Sequence, residues 1–151
     1  ADACRERGIP IRIGVNGGSL EKDLLVKYGG VTAQGMVESG LNHARMLERA
    51  GYDQIVLSYK ATDVPKTVEA CRLAAKLSDY PQHIGVTESG TADVGVVKSA
   101  VGIGALLADG IGMLAALLAA GNLSFWLCDR ALAALTRYYH VILKPKLKKK
   151  F

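Results

Sequence analysis

The segment IRIGVNGGSLEKDLL, residues 11–25, contains the residue types that bind phosphate groups. In a strand, Arg12 and Asn16 would share one face and the alternating apolar residues the other, because successive side chains point to opposite faces. Two glycines and Ser19 follow, and Ser19 is predicted to cap a helix over about residues 20–28. Backbone N–H groups at a helix start, beside an arginine, are typical of sites for phosphate oxygens. The segment therefore predicts an α/β protein that binds a phosphorylated ligand.

Strand and helix patterns alternate along the first 112 residues. The predicted strands are 11–16, 54–59 and 83–87, and the predicted helices are 20–28, one capped by Thr32 and ended by Gly51, one capped by Asp63, and 93–108. Such alternation implies a parallel sheet with right-handed crossovers. Three strands are too few to close a barrel, and 151 residues are fewer than the roughly 250 of a complete (β/α)8 barrel.

The formal net charge of +5 is concentrated at the C-terminal end of the chain. From Met113 onward there are seven Lys or Arg residues and one Asp, whereas residues 1–112 carry 12 basic and 13 acidic side chains. Proteins that bind nucleic acids concentrate basic residues on the folded domain. We therefore expect no nucleic-acid partner.

The segment 113–151 is predicted to be a divergent helical tail, apolar at first and then basic. Most of a run of 19 uncharged residues, 110–128, lies in this tail, and the run approaches the length of a membrane-spanning helix. The run also contains glycines, Asn122 and Ser124, so a membrane span is not the expectation. At the other end, the first residues resemble the end of a helix closed by Gly8, and we expect the beginning of the domain to be cut off.

Four motifs occur in order and carry a resemblance to a known family. They are IRIGVNGGSLEKDLL at 11–25, SYKATD at 58–63, HIGVTESG at 83–90 and GVVKSAVGIGALLADGIG at 95–112. Together they resemble 4-hydroxy-3-methylbut-2-enyl diphosphate synthase, the iron–sulfur enzyme of the methylerythritol phosphate pathway to isoprenoids. The resemblance implies an α/β fold: a partial (β/α)8 TIM barrel over residues 1–112, forming a substrate domain, with the helical tail after it.

The resemblance also implies a reaction, a cofactor and partners. The family opens the ring of a cyclic diphosphate, methylerythritol cyclodiphosphate, and removes water, using two electrons from ferredoxin or flavodoxin. A separate C-terminal domain, commonly of the other subunit in a homodimer, carries a [4Fe–4S] cluster. That domain has no counterpart in this sequence, and Leu118 falls where a substrate-contacting serine is expected. We therefore expect this chain alone to be inactive and to carry part of the diphosphate site.

Five residues are the candidate site. By resemblance, Arg12, Asn16 and Lys60 bind the substrate diphosphate, and Glu88 is a catalytic residue with a proton-handling role. Ser19 is expected to touch phosphate in addition to capping its helix. Lys60 and Glu88 directly follow predicted strands, whose carboxyl ends face the active site in such barrels. Strict alternation would place Glu88 on the apolar side of its strand, so the loop must redirect it.

The other reactive side chains are expected to be structural. Cys4, Cys71 and Cys128 lie far apart without a CxxC pair, which excludes a sequence-local zinc or iron–sulfur motif and fits a reducing cytoplasm. No metal ligands are predicted. His83 begins its predicted strand, at the end of the barrel that serves stability.

Two alternatives remain open at this point. The chain could be a non-catalytic fragment that associates with membranes or other chains through its apolar, basic tail. It could also belong to another phosphate-binding barrel, such as a pterin-binding synthase, although the four ordered motifs argue against this.

Overall fold

The computed structural model describes residues 1–112, which form two parallel strands and five α-helices. The elements in chain order are α1 (Asp2–Arg7), β1 (Ile11–Asn16), a 3₁₀ turn (Gly17–Ser19), α2 (Lys22–Tyr28), α3 (Ala33–Arg49), β2 (Ile55–Lys60), α4 (Val64–Leu77) and α5 (Ala92–Ala108). The predicted tail helix lies outside the described residues, and the domain boundary at residue 112 stays a prediction. None of the described helices is long and apolar enough to cross a membrane.

The two strands pair in parallel register, with Ile11 beside Ile55 at one end and Asn16 beside Lys60 at the other. Helices α3 and α4 pack on one face of this pair. Their apolar side chains and those of the strands make the core, whose most buried members include Met36, Val37, Ile55, Leu57, Tyr59, Cys71, Ile84 and Leu106. The predicted α/β class with parallel strands and alternating helices is therefore confirmed.

Two of the predicted helix caps are confirmed. The Thr32 hydroxyl accepts a hydrogen bond from the Gly35 N–H at 3.1 Å, and the Asp63 carboxylate accepts one from the Lys66 N–H at 2.7 Å. Each satisfies a backbone donor that the first turn of a helix leaves without a partner. These caps fix where α3 and α4 begin.

The predicted cap by Ser19 is wrong. Residues 17–19 form their own 3₁₀ turn, in which the Ser19 hydroxyl is 3.5 Å from the Asn16 carbonyl oxygen. The next residue, Leu20, is extended and buried in the core, which separates the turn from α2. α2 consequently begins at Lys22, and its N-cap position is Glu21.

The third predicted strand, 83–87, is also wrong as a strand. Its segment touches β2 at one bridge, Leu57 beside Gln82, where the His83 N–H donates to the Leu57 carbonyl oxygen at 2.8 Å. Beyond it, Ile84 is buried in the core and Val86 packs close to Gly102 of α5. Within the described residues no strand flanks this segment on its other side, so nothing there extends the ladder. The segment packs against the core and α5 instead of forming a third strand.

Helix α3 packs closely against β2 where Gly40 meets Tyr59. A Cβ atom added at Gly40 would lie 2.7 Å and 2.8 Å from two ring carbons of Tyr59, so the helix reaches the sheet only because position 40 has no side chain. Both residues are buried.

We expect Gly40→Ala to lower the free energy of unfolding by about 1–2 kcal/mol, because overpacking outweighs the gain in helix propensity. Urea denaturation monitored by circular dichroism measures this. Gly104→Ala is the matched control, since Gly104 is also helical and has nothing within 4 Å of an added Cβ. Equal stability of Gly40→Ala and the wild-type chain would contradict the close packing.

Candidate phosphate-binding site

The face of the strand pair opposite α3 and α4 carries the polar side chains of both strands. Parallel register brings alternate residues of the two strands onto this face together. From the amino to the carboxyl end, the rows are Arg12 with Val56, Gly14 with Ser58, and Asn16 with Lys60. The predicted alternation of β1 is therefore correct.

The two cationic side chains on this face lie along the sheet. A Cβ atom at Gly14 would be 3.3 Å from Arg12 Nη1, and a Cβ atom at Gly85 would be 3.3 Å from Lys60 Cε. The guanidinium thus covers the glycine two residues further along β1, and the lysine covers a glycine of the neighbouring segment. Arg12 therefore lies along β1, while Lys60 leans toward Gly85, on the side of β2 away from β1.

Within residues 1–112, no carboxylate neutralises these cations. Among the described residues, neither Arg12 nor Lys60 forms an ion pair or a side-chain hydrogen bond. Lys60 is partly buried, and this burial, followed by the charge of Arg12, lowers the pKa of Lys60. A bound anion would relieve both the desolvation and the repulsion.

The remaining candidates lie at the carboxyl end of the strands. Asn16 shares a row with Lys60, and Ser19 follows in the 3₁₀ turn. Glu88 is exposed, and its carboxylate is 3.5 Å from the Thr62 hydroxyl in the loop after β2. The backbone of Glu88 has a φ of 50°, a left-handed conformation that is uncommon for a residue with a side chain. The structure thus brings Arg12, Asn16 and Lys60 onto one face and places Ser19 and Glu88 in adjoining loops.

A groove of about 580 Å³ along β1 and α3 shares Gly14 with the cationic face. It includes Asn16 and Ser19 but neither Arg12 nor Lys60. Within it the Ser39 hydroxyl donates to the Glu21 carboxylate at 2.8 Å. The hydroxyl of this serine therefore has a carboxylate as its acceptor.

The described residues do not fit a metal or iron–sulfur centre. No group of three or more His, Cys, Asp or Glu side chains is close enough to hold a metal ion in residues 1–112. Cys4 and Cys71 are free thiols on different helices. Burial raises the pKa of Cys71 to about 12, which disfavours the thiolate that a metal requires. Cys128 lies outside the described residues.

Sequence analysis missed Ser58 and misplaced His83. Because Leu57 bridges Gln82, His83 lies beside Ser58, near the middle of β2. Sequence analysis had expected it at the amino end of the strands. Ser58 Oγ and His83 Nδ1 are buried and have no hydrogen-bond partner among the described residues. The sequence signal was the repeat of RIGVN at 12–16 as HIGVT at 83–87, which places His83 where the first copy has Arg12.

The environment of His83 favours its neutral form. Burial lowers its pKa, and the charges of Lys60 and Arg12 lower it further, to about 4. The unfolded chain binds a proton at His83 below about pH 6.5. Stability from the neutral ring is therefore complete above that pH and is lost as the pH falls toward 4.

We expect the free energy of unfolding of the wild-type chain to fall by about 1–2 kcal/mol from pH 7 to pH 5 because of His83. This range allows for the partial solvent exposure of the ring. Urea denaturation at the two pH values measures the loss. His83→Gln should show a smaller loss, while His43 is present in both chains and cancels. An identical pH dependence in both would contradict the assigned environment of His83.

The described residues form a parallel α/β unit with two cationic side chains on the face of the sheet that α3 and α4 leave uncovered. The family model described as the GcpE TIM-barrel domain matches residues 1–115. The chain therefore belongs to the GcpE TIM-barrel family.

Three similar relatives carry the same name. The chain is 67% identical over 110 residues to 4-hydroxy-3-methylbut-2-en-1-yl diphosphate synthase (flavodoxin) of Geobacter sulfurreducens, covering 73% of this chain and 31% of that protein. It is 57% identical over 111 residues to the protein of the same name from Caldanaerobacter subterraneus subsp. tengcongensis, covering 74% and 31%. The Ruminiclostridium cellulolyticum protein is 59% identical over 112 residues, covering 74% and 32%. The chain thus spans less than one third of the length of these relatives.

Proposed function

We propose that this chain carries part of the diphosphate site of a 4-hydroxy-3-methylbut-2-en-1-yl diphosphate synthase. The observation that carries the proposal is the pair of cations, Arg12 and Lys60, which share one face of the sheet and have no carboxylate partner among residues 1–112. The substrate class is a cyclic diphosphate, methylerythritol cyclodiphosphate, and the reaction is its reductive ring opening and dehydration. The high identity to relatives of that name supports this assignment.

Each site residue has a distinct part in binding. The planar guanidinium of Arg12 suits two oxygens of one phosphate group, while the Lys60 ammonium supplies a compact charge with three donors. The Asn16 amide, in the same row as Lys60, adds a neutral donor. Ser19 ends the 3₁₀ turn at the carboxyl end of β1, and we expect its hydroxyl to contact a phosphate oxygen there.

Glu88 is the proposed proton-handling residue. It is exposed at the carboxyl end of the sheet and is held near Thr62 in the loop that follows Lys60. Its left-handed backbone turns the side chain out of the alternation of the preceding segment. A carboxyl group at that position supplies a proton donor and acceptor next to the substrate.

The proposal includes groups that the described residues do not provide. The names of the relatives specify flavodoxin, which supports flavodoxin as electron donor, with ferredoxin as the alternative. A [4Fe–4S] cluster and a homodimer belong to the proposal for the whole enzyme, in the cytoplasm. Since residues 1–112 do not fit the cluster, we infer that this chain binds diphosphate but does not by itself turn over substrate.

We expect Arg12→Ala to weaken binding of pyrophosphate to the 151-residue chain by about 1.5–3 kcal/mol, because a charge-assisted hydrogen bond is lost. Isothermal titration calorimetry measures the affinity directly. Lys60→Met should weaken binding in the same range.

Arg45→Ala is the matched control for charge. Arg45 is an exposed arginine of α3 that bonds Asn42. Its removal changes the net charge equally but should leave the affinity within about twofold. Equal affinities of the wild-type chain, Arg12→Ala and Lys60→Met for pyrophosphate would refute the proposed function.

A further inference from the structure

Helix α5 is apolar on nearly all sides, but only one side of it is covered by the described residues. On that side a Cβ atom added at Gly102 would lie 3.1 Å from Val64 Cγ1, at the start of α4, and 3.2 Å from Val86 Cγ2. The buried residues of the helix, Gly102 and Leu106, both belong to this side. A helix that is apolar all round is typical of a protein interior. The other side of α5 therefore calls for a partner.

The uncovered side of α5, here called the outer face, exposes apolar residues along the length of the helix. Its members recur at intervals of three or four residues, which is the spacing of one helical face. They are Val94, Val97, Val101, Gly104 and Ala108, flanked by the exposed Val96 and Leu107. After Asp93 the one charged residue in α5 is Lys98, which is partly buried. A continuous exposed apolar surface of this kind marks a contact surface.

The chain continues beyond α5 with a segment of matching character. Past the end of the helix the backbone reverses, because the Ile111 N–H donates to the Leu106 carbonyl oxygen at 2.8 Å. A Cβ atom at Gly112 would lie 2.6 Å from Ile84 Cδ1, so the chain at this point is close to the segment that α5 covers. Residues 113–128 come next and contain no Asp, Glu, Lys or Arg. An uncharged segment therefore begins at the carboxyl end of α5.

The length of this segment and the charges of the chain favour it as the occupant of the outer face. The 17 residues of α5 extend about 25 Å, and residues 113–128 span about 24 Å even at the short rise of a helix. Residues 1–112 carry 12 basic and 13 acidic side chains, whereas residues 113–151 carry seven basic and one acidic. The two parts of one chain are thus not held apart by like charge. Two whole chains, each with a net charge of +5, repel each other.

We propose that residues 113–128 pack along the outer face of α5 in the same chain and form an intramolecular cover for this helix. The driving force is hydrophobic, because packing removes the exposed valines of α5 and the apolar side chains of the segment from water together. The inference does not depend on the proposed function, since it concerns neither Arg12 nor Lys60. It gives the apolar part of the tail a partner that is neither a membrane nor a second chain.

Trp126 reports on this contact, because it is the one tryptophan of the chain and lies within residues 113–128. Its fluorescence is measured on the 151-residue chain for the wild type and for Val97→Lys, which places a charge on the outer face. We expect Val97→Lys to shift the emission maximum of Trp126 to longer wavelength, toward its value in urea, and to increase quenching by acrylamide. Val26→Lys is the matched control and should leave both unchanged, because Val26 is an exposed valine of α2.

Each other outcome overturns the proposal. Equal emission of the wild type and Val97→Lys, or equal shifts in Val97→Lys and Val26→Lys, would show that Trp126 does not sense the outer face. Emission that changes with protein concentration, together with a dimer in size-exclusion chromatography, would assign the face to a second copy. A wild-type maximum that already equals its value in urea, and that moves only when phosphatidylglycerol vesicles are added, would assign residues 113–128 to a membrane.

A second variant decides the question if Val97→Lys does not fold, which far-ultraviolet circular dichroism shows. Val97→Ser introduces a small neutral hydroxyl at the same position of the outer face. It should shift the emission of Trp126 in the same direction by a smaller amount and increase its quenching. A folded Val97→Ser chain with the emission and quenching of the wild type refutes the contact.

Discussion

Parallel pairing of β1 with β2 determines which side chains of this chain share a surface. The register from Ile11 beside Ile55 to Asn16 beside Lys60 sorts the two strands into an apolar and a polar face. Helices α3 and α4 cover the apolar face, so burial of residues such as Leu57 and Tyr59 fixes the orientation of the sheet. The cations are consequently held on the other face. A slip of one residue would exchange the two faces and would place charged groups in the core.

Glycines act at opposite sides of this sheet for different physical reasons. At Gly40 the missing side chain lets a helix backbone approach the buried ring of Tyr59, which is a matter of packing. At Gly14 and Gly85 the missing side chains let Arg12 and Lys60 lie along the sheet. The two glycines on the polar face occupy equivalent positions in RIGVN and HIGVT, so the repeat has a spatial meaning: each copy leaves room for one cation.

Much of the fold was predictable from local patterns. The alternation in β1, the caps at Thr32 and Asp63 and the helix α5 all depend on neighbouring residues, which the sequence displays directly. The cap by Ser19 and the strand at 83–87 were wrong because tertiary packing decided them: burial of Leu20 separates the turn from α2, and Ile84 and Val86 pack toward the core and α5. Arg12, Asn16 and Lys60 were predicted as site residues from one strand pattern and the family motifs, and their role in binding stays a prediction. The position of His83 beside Ser58 could not be predicted, because it depends on a register between distant segments.

The central claim is that Arg12 and Lys60 meet one anion on the face opposite α3 and α4. A crystal structure of the chain with bound pyrophosphate tests it most directly. The account predicts phosphate oxygens within hydrogen-bond distance, about 3 Å, of both the guanidinium and the ammonium, with Asn16 at the same end. Pyrophosphate bound elsewhere, or Arg12 packed against α3 on the helix-covered face, would contradict it.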